Sequence, residues 1–289
     1  MHRFTLLLSL VPSLFYHPNA YSQDTLSGTI LFKITHPESA HTSYLFGTHH
    51  AFGKAFFDTL SMASEALKSC DLVLKENLNI PGETADNIIH TRSEETNWKS
   101  FLQKDDLLYL QQLFANNSTF PKMTPAELHA FLIRRYNQTV CLQQDEEDNS
   151  TSLDDYIGRL AESWNTPLLG LETTADQLRY INEDIAGMPA KVHKNRLHTI
   201  INLLQTQDNS SCSSTDWYSA MNFDYQLQAP CTNTLMLTDR NNRWMKTLES
   251  KLQTNNCFIA VGLSHLMYEC GLINQIRELG YTVSPVAVK

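Results

Sequence analysis

Two stretches near opposite ends of the chain finish in the same way, and they constrain its fold more than any other feature. YLFGTHHAFG, residues 44–53, is an apolar run that breaks at Gly47 and sets His50 three positions later. FIAVGLSHLM, residues 258–267, repeats the pattern with Gly262 and His265. Two further apolar runs end in a carboxylate: DLVLKE, residues 71–76, at Glu76, and PLLGLE, residues 167–172, at Glu172. Short apolar runs alternating with longer helical periodicity read as strands and helices of an α/β fold. In open sheets of that kind, ligands sit beyond the carboxyl ends of the strands, where the connecting loops diverge. If the four runs are parallel neighbours, His50, Glu76, Glu172 and His265 meet in one crevice.

Alone, each of these residues says little. A histidine at a strand end is commonly a hydrogen-bonded structural residue, and a glutamate before Thr173 and Thr174 can serve a helix cap. Together, two histidines and two glutamates are the inventory of a divalent-metal site or of a metal-free acid/base site. Position 49 is a second histidine, so either His49 or His50 faces the crevice. A fifth feature lies in TDRNNRWMKTLESKL, residues 238–252, where Leu237, Trp244, Met245, Leu248 and Leu252 form a helical apolar stripe. Asn241 falls on that stripe and needs a partner there. Arg240 beside it brings five donors suited to a carboxylate.

The remaining pattern places these motifs. GTILFKIT (28–35) and TSYLFG (42–47) form a hairpin through HPESAH, and a helical stretch at about 58–69 leads into DLVLKE. Residues up to about 164 are mostly helical, with loops at Asn116–Thr119 and Asp145–Asp148; helix then resumes to about 254, interrupted near Asp208–Thr215. Strand CFIAVG, helix LMYECGLINQIRELG and strand YTVSPV close the chain. The expected fold is α/β: a central mixed sheet flanked by helices, with a helical insertion, in a single domain over residues 23–289. Lys75, a charge within an otherwise apolar strand, places that strand near a sheet edge.

With 289 residues, 42% of them hydrophobic, the chain can bury a sizeable core. A net charge of -9 without a basic face argues against a nucleic-acid partner. Residues 1–22 have a basic start, a short apolar run and small residues before Gln23, the form of a cleavable signal peptide. The expectation is export, to the periplasm or beyond, with no stable membrane span after cleavage. Cys70, Cys141, Cys212, Cys231, Cys257 and Cys270 are an even set without a CxxC, which favours disulfides. Cys212 and Cys231 flank one polar segment and are the expected pair; Cys70 and Cys257 could equally be free core thiols.

Taken together, YLFGTHH, DLVLKE, SLDDYI (152–157), PLLGLETTADQL, DRNNRWM and AVGLSHLMYECGLINQIRELGYTV resemble the TraB/GumN family, which includes the TIKI proteases and PrgY. The resemblance extends over about residues 28–286. It implies an α/β fold related to erythromycin esterase and the haem-binding protein ChaN. For the TIKI branch it implies a metal-dependent peptidase using both GxxH histidines and a glutamate. Carried onto this sequence, the implicated residues are Gly47, His50, Glu76, Glu172, Arg240, Asn241, Gly262 and His265.

The resulting expectation is an exported, metal-dependent, peptidase-like hydrolase. His50 and His265 would hold Zn, Mn or Co through neutral imidazole with one glutamate, Glu76, as third ligand. The other glutamate would be general base, while Arg240 and Asn241 orient a peptide or small-molecule substrate. A metal-free esterase-like hydrolase with a histidine base, and a protein that sequesters a peptide or haem without turnover, are the alternatives.

Overall fold

The hairpin forms as its alternation requires, with β1 (Leu31–Thr35) antiparallel to β2 (Thr42–Thr48). β2 then pairs in parallel with β5 (Cys257–Gly262), the strand of the second GxxH run. β3 (Leu72–Lys75) lies parallel on the other side of β5, and β4 (Leu168–Gly170) parallel to β3 at the edge. With β6 (Thr282–Val286) antiparallel to β1, the six-stranded order is β4-β3-β5-β2-β1-β6. The fold is thus α/β with a mixed sheet, and the four strands carrying the chemistry are consecutive parallel neighbours. β5 lies centrally with neighbours on both edges, which suits its unbroken apolar run CFIAV. The computed structural model describes residues 28–78, 80–115, 117–145, 148 and 151–289. The expected leader with its junction at Gln23, Asn116 and the middle of the acidic tract lie outside the described residues.

Helices surround the sheet. α1 (Lys54–Phe57) and α2 (Ser61–Lys68) follow β2. α3 (Ala85–His90), α4 (Lys104–Leu113), α5 (Pro125–Tyr136) and α6 (Leu153–Ser163) separate β3 from β4. α7 (Thr174–Asp184), α8 (Ala190–Thr206), α9 (Ser213–Ala220) and α10 (Asp239–Leu252) separate β4 from β5, and α11 (Leu272–Glu278) precedes β6. Thr124 with Glu127 and Thr173 with Asp176 make reciprocal capping boxes that start α5 and α7. Two apolar clusters result. One surrounds the sheet (Phe46, Val73, Phe258, Ile259), and the other fills the helical insertion (Leu128, Leu132, Leu197, Ile201). Among the described residues no helix is long and apolar enough to cross a membrane.

Three local expectations are corrected. Cys212 pairs with Cys141 and Cys231 with Cys270, so the expected Cys212–Cys231 bridge does not form. Cys212 is drawn into the insertion core beside Tyr136, whereas Cys231 is bonded to Cys270 in the C-terminal segment. Cys70 and Cys257 are buried free thiols. β3 is one strand in from the edge, near it as Lys75 suggested, and Lys75 is buried because its ammonium reaches Asp155 at 2.8 Å. Residues 222–233 are not helical: Met221 (φ 50°) and Gln226 (φ 49°) are left-handed and turn the chain back towards the sheet. The closing helix begins only at Leu272, because Tyr268 (φ 67°) breaks it and the next segment hugs the backbone at Gly271. A Cβ there would lie 2.4 Å from the Met267 carbonyl oxygen.

Candidate active site

The parallel register delivers Glu76, Glu172 and His265 to the carboxyl ends of β3, β4 and β5. Arg240, from the first turn of α10, enters between them and is nearly fully buried. Its five N–H groups all find acceptors. Nε donates to Glu172 Oε2 at 3.1 Å, and Nη2 donates to Glu172 Oε1 at 2.6 Å and Glu76 Oε2 at 2.9 Å. Nη1 donates to His265 Nε2 at 3.0 Å and to the Met236 carbonyl at 3.5 Å. Trp244 adds an indole N–H to Glu172 Oε2 at 3.1 Å and lies under the guanidinium, 4.8 Å from its ring centroid. Glu76 accepts further from Gln177 of α7 at 3.0 Å and from the Gly262 N–H at 2.8 Å.

Asn241 works on the far side of His265. Its Oδ1 accepts from His265 Nδ1 at 2.7 Å, while its amide nitrogen donates to the carbonyls of His265 and Cys270 at 3.2 and 2.8 Å. With Nδ1 donating to Asn241 and Nε2 accepting from Arg240, His265 is held as one neutral tautomer. Burial pushes its imidazole down to about 3, with Arg240 opposing protonation and Glu76 favouring it. Burial alone would raise the Glu76 carboxyl, but the His265 ring, Arg240, His50 and the Gly262 N–H hold it below its ordinary value. Because His265 is neutral near pH 7, Arg240 supplies most of that hold there.

The two glycines explain why the strand-end pattern occurs twice. A Cβ at Gly47 would lie 2.6 Å from a Leu263 methyl, and one at Gly262 would lie 3.1 Å from Glu76 Oε1. Each glycine lets its strand end close on the neighbouring strand's exit, and each exit then sends its histidine to a different depth. His265 enters a short 3₁₀ turn (Leu263–Leu266) and is buried. His50 follows the end of β2 and keeps 57% of its side chain exposed. It turns Nδ1 to Asp154 Oδ1 at 3.2 Å, on the first turn of α6. Its Nε2 makes no hydrogen bond among the described residues, so that nitrogen is available to a ligand.

Desolvation opposes charge on His50, but Asp154 outweighs it and raises the imidazole to about 9. Burial would raise Asp154; His50 and Lys75 instead hold it well below the usual carboxylate range. His50 also lies within electrostatic reach of Glu76 and His265, which links it to the buried cluster. His49 faces an aromatic wall, its ring centroid 5.3 Å from Phe52 and 5.2 Å from Tyr218, and burial pushes it down to about 4. Of the two, His50 is the exposed histidine and the one within electrostatic reach of Glu76 and His265.

The family follows from this chain's own sequence. The model of the TraB/PrgY/gumN family matches residues 30–285. The chain belongs to the TraB/PrgY/gumN family. Searches of curated proteins and of solved structures each returned no match. In this TraB/PrgY/gumN protein, sequence reasoning missed Asp154, Lys75 as a buried ion pair, Gln177 and the indole of Trp244. Only SLDDYI carried a signal: Ser152 caps α6, which places Asp154 in its first turn. The expected ligands do not fit a shared cation as arranged. His265 Nε2 and Glu76 Oε2 are both turned onto Arg240, which leaves only His50, through Nε2, with a ring nitrogen open to a ligand. Among the described residues no group of three or more His, Cys, Asp or Glu side chains is disposed to hold a metal.

Proposed function

We propose that this TraB/PrgY/gumN protein is a hydrolase of acyl bonds, in a peptide or a small ester, with His50 as its acid/base group. The observation that carries the proposal is the Asp154-oriented, half-exposed imidazole of His50. In its neutral form His50 Nε2 takes a proton from water as the oxygen attacks the carbonyl carbon. The imidazolium then returns that proton to the leaving group as the carbon–heteroatom bond breaks. Asp154 holds the tautomer with the proton on Nδ1 and stabilises the imidazolium. Arg240, Asn241, Glu76, Glu172 and His265 support this as a buried frame. Their donors and acceptors are spent on one another, so they set the shape and charge of the crevice floor. We also propose export, on the form of residues 1–22 and the two disulfides, which oxidising compartments favour.

The test is hydrolysis of a mixed ester and peptide library by wild type, His50→Ala and Asp154→Asn, with and without a chelator. Turnover that survives chelation and is lost in His50→Ala supports the proposal. Turnover abolished by the chelator and restored by Zn, Mn or Co would return the chemistry to a metal. Absence of turnover in every arm would leave a protein that sequesters its ligand. Export is checked by mass spectrometry of the mature chain, with an N-terminus near Gln23 expected.

A further inference from the structure

A concavity of about 580 Å³ is lined in part by Ser264, next to His265, and the mechanism does not use it. One wall is the irregular strip after α9. Along Asn222–Gln226 burial alternates: Phe223 and Tyr225 are buried in the sheet's core, and Asn222, Asp224 and Gln226 line the groove. Tyr225 is anchored by its hydroxyl on the Thr29 carbonyl at 2.6 Å and by an edge contact with Phe32. The other wall is the segment after His265, with Ser264, Met267 and Tyr268. The Tyr268 and Glu269 N–H groups donate to the Tyr225 and Ala229 carbonyls at 2.9 and 3.0 Å, and Cys231–Cys270 bonds the walls covalently. Met221, Gln226 and Tyr268 all hold left-handed backbone around the groove, a conformation that non-glycine residues keep only where the surroundings impose it. The groove is preformed.

Trp217 closes one end. It is 41% exposed, and its ring is fixed edge-on against Phe223 at 4.6 Å between centroids. An indole held this way offers an open face at little entropic cost. Among the described residues no Lys or Arg lines the groove and its one charge is Asp224, which disfavours phosphate or carboxylate ligands. An extended peptide is also disfavoured, because it binds through a free backbone edge or side-chain pockets. The edge is occupied by the cross-wall bonds at Tyr225 and Ala229. What remains is an indole face with amide, carboxylate and hydroxyl groups around it. Hydroxyls both donate and accept, as the Asn222 and Gln226 amides do together, and the C–H face of a sugar ring matches the indole.

We propose that this groove is a saccharide subsite. It adjoins the site through Ser264, next to His265, and through Trp217, next to the Tyr218 that packs on His49. That it presents a saccharide-linked acyl group to His50 rests on the hydrolase reading; binding in the groove does not. The test is a glycan array of neutral and amino oligosaccharides probed with the mature protein, followed by calorimetric titration of the best hit. Tetra-alanine serves as the peptide probe. Wild type is expected to bind the saccharide, Trp217→Ala to bind it about tenfold more weakly, a difference of ~1.4 kcal/mol, and Asn222→Ala to weaken it as well. His50→Ala is expected to retain binding while losing hydrolysis, so the two proposals fail separately. An array without a hit, a hit unaffected by Trp217→Ala, or binding of tetra-alanine alone would overturn the subsite.

Discussion

Replacing Arg240 by Ala is the sharpest perturbation of this site. The guanidinium contacts Glu76 at 2.9 Å and Glu172 at 2.6 Å, and the side chains of these two carboxylates are 6% and 0% exposed. At an effective dielectric constant of about 20, each contact is a Coulomb attraction of roughly 4 kcal/mol, and burying the ions offsets much of the sum. Removing the cation alone leaves two carboxylates desolvated and close together. The expected loss of stability at pH 7 is about 3–5 kcal/mol. The loss is pH-dependent with a defined sign. In wild type the Glu76 carboxyl is lowered, so its stabilisation is present at neutral pH and fades as pH falls through its folded value. In the variant, burial and the neighbouring carboxylate raise the Glu76 carboxyl above its unfolded value, so acidification helps the folded state. The gap between wild type and variant therefore narrows from pH 7 to pH 5. Urea unfolding followed by circular dichroism at both pH values measures it. A loss below about 1 kcal/mol, or one equal at both pH values, would refute the account of a buried charge frame.

Asp154→Asn should lower the His50 pKa from about 9 towards its ordinary value, read by the pH titration of its imidazole in NMR spectra, with folding retained. In wild type, His50-dependent hydrolysis should rise with pH up to about 9, where the imidazole loses its proton, and this rise should move to lower pH in Asp154→Asn. Gly262→Ala should push the Glu76 carboxylate off its N–H bond and reduce activity more than global stability, checked by activity and thermal melts, since the new Cβ would lie 3.1 Å from Oε1. Replacing Cys231 and Cys270 by Ser should cost about 2–4 kcal/mol and increase hydrogen exchange at 222–233 more than in the β5 region, because that bridge ties the strip to the C-terminal segment.

Much of the frame was legible because its signals are local. Four apolar runs ending in polar groups are strands whatever surrounds them, and the apolar stripe of 237–252 fixed which face of α10 is buried, Asn241 included. The glycines of both GxxH motifs were visible as breaks. Their role, closing Gly47 on Leu263 and Gly262 on Glu76, needed the strand order to be known. Asp154 stood in plain sight in SLDDYI but had no marked partner, because the contact it makes joins residues 104 positions apart.

By itself, then, the sequence determined the α/β class, the hairpin, the helical insertion and the residue types gathered at the strand ends. Periodicity and apolar run length report on each segment's own need to bury a face. Tertiary structure alone decided which charges meet. It placed Arg240 between two carboxylates and His265, left His50 as the exposed histidine, and paired Cys141 with Cys212 and Cys231 with Cys270. Those outcomes depend on through-space distance and desolvation. Both arise only when the parallel strands are laid side by side and the α10 turn closes over their ends.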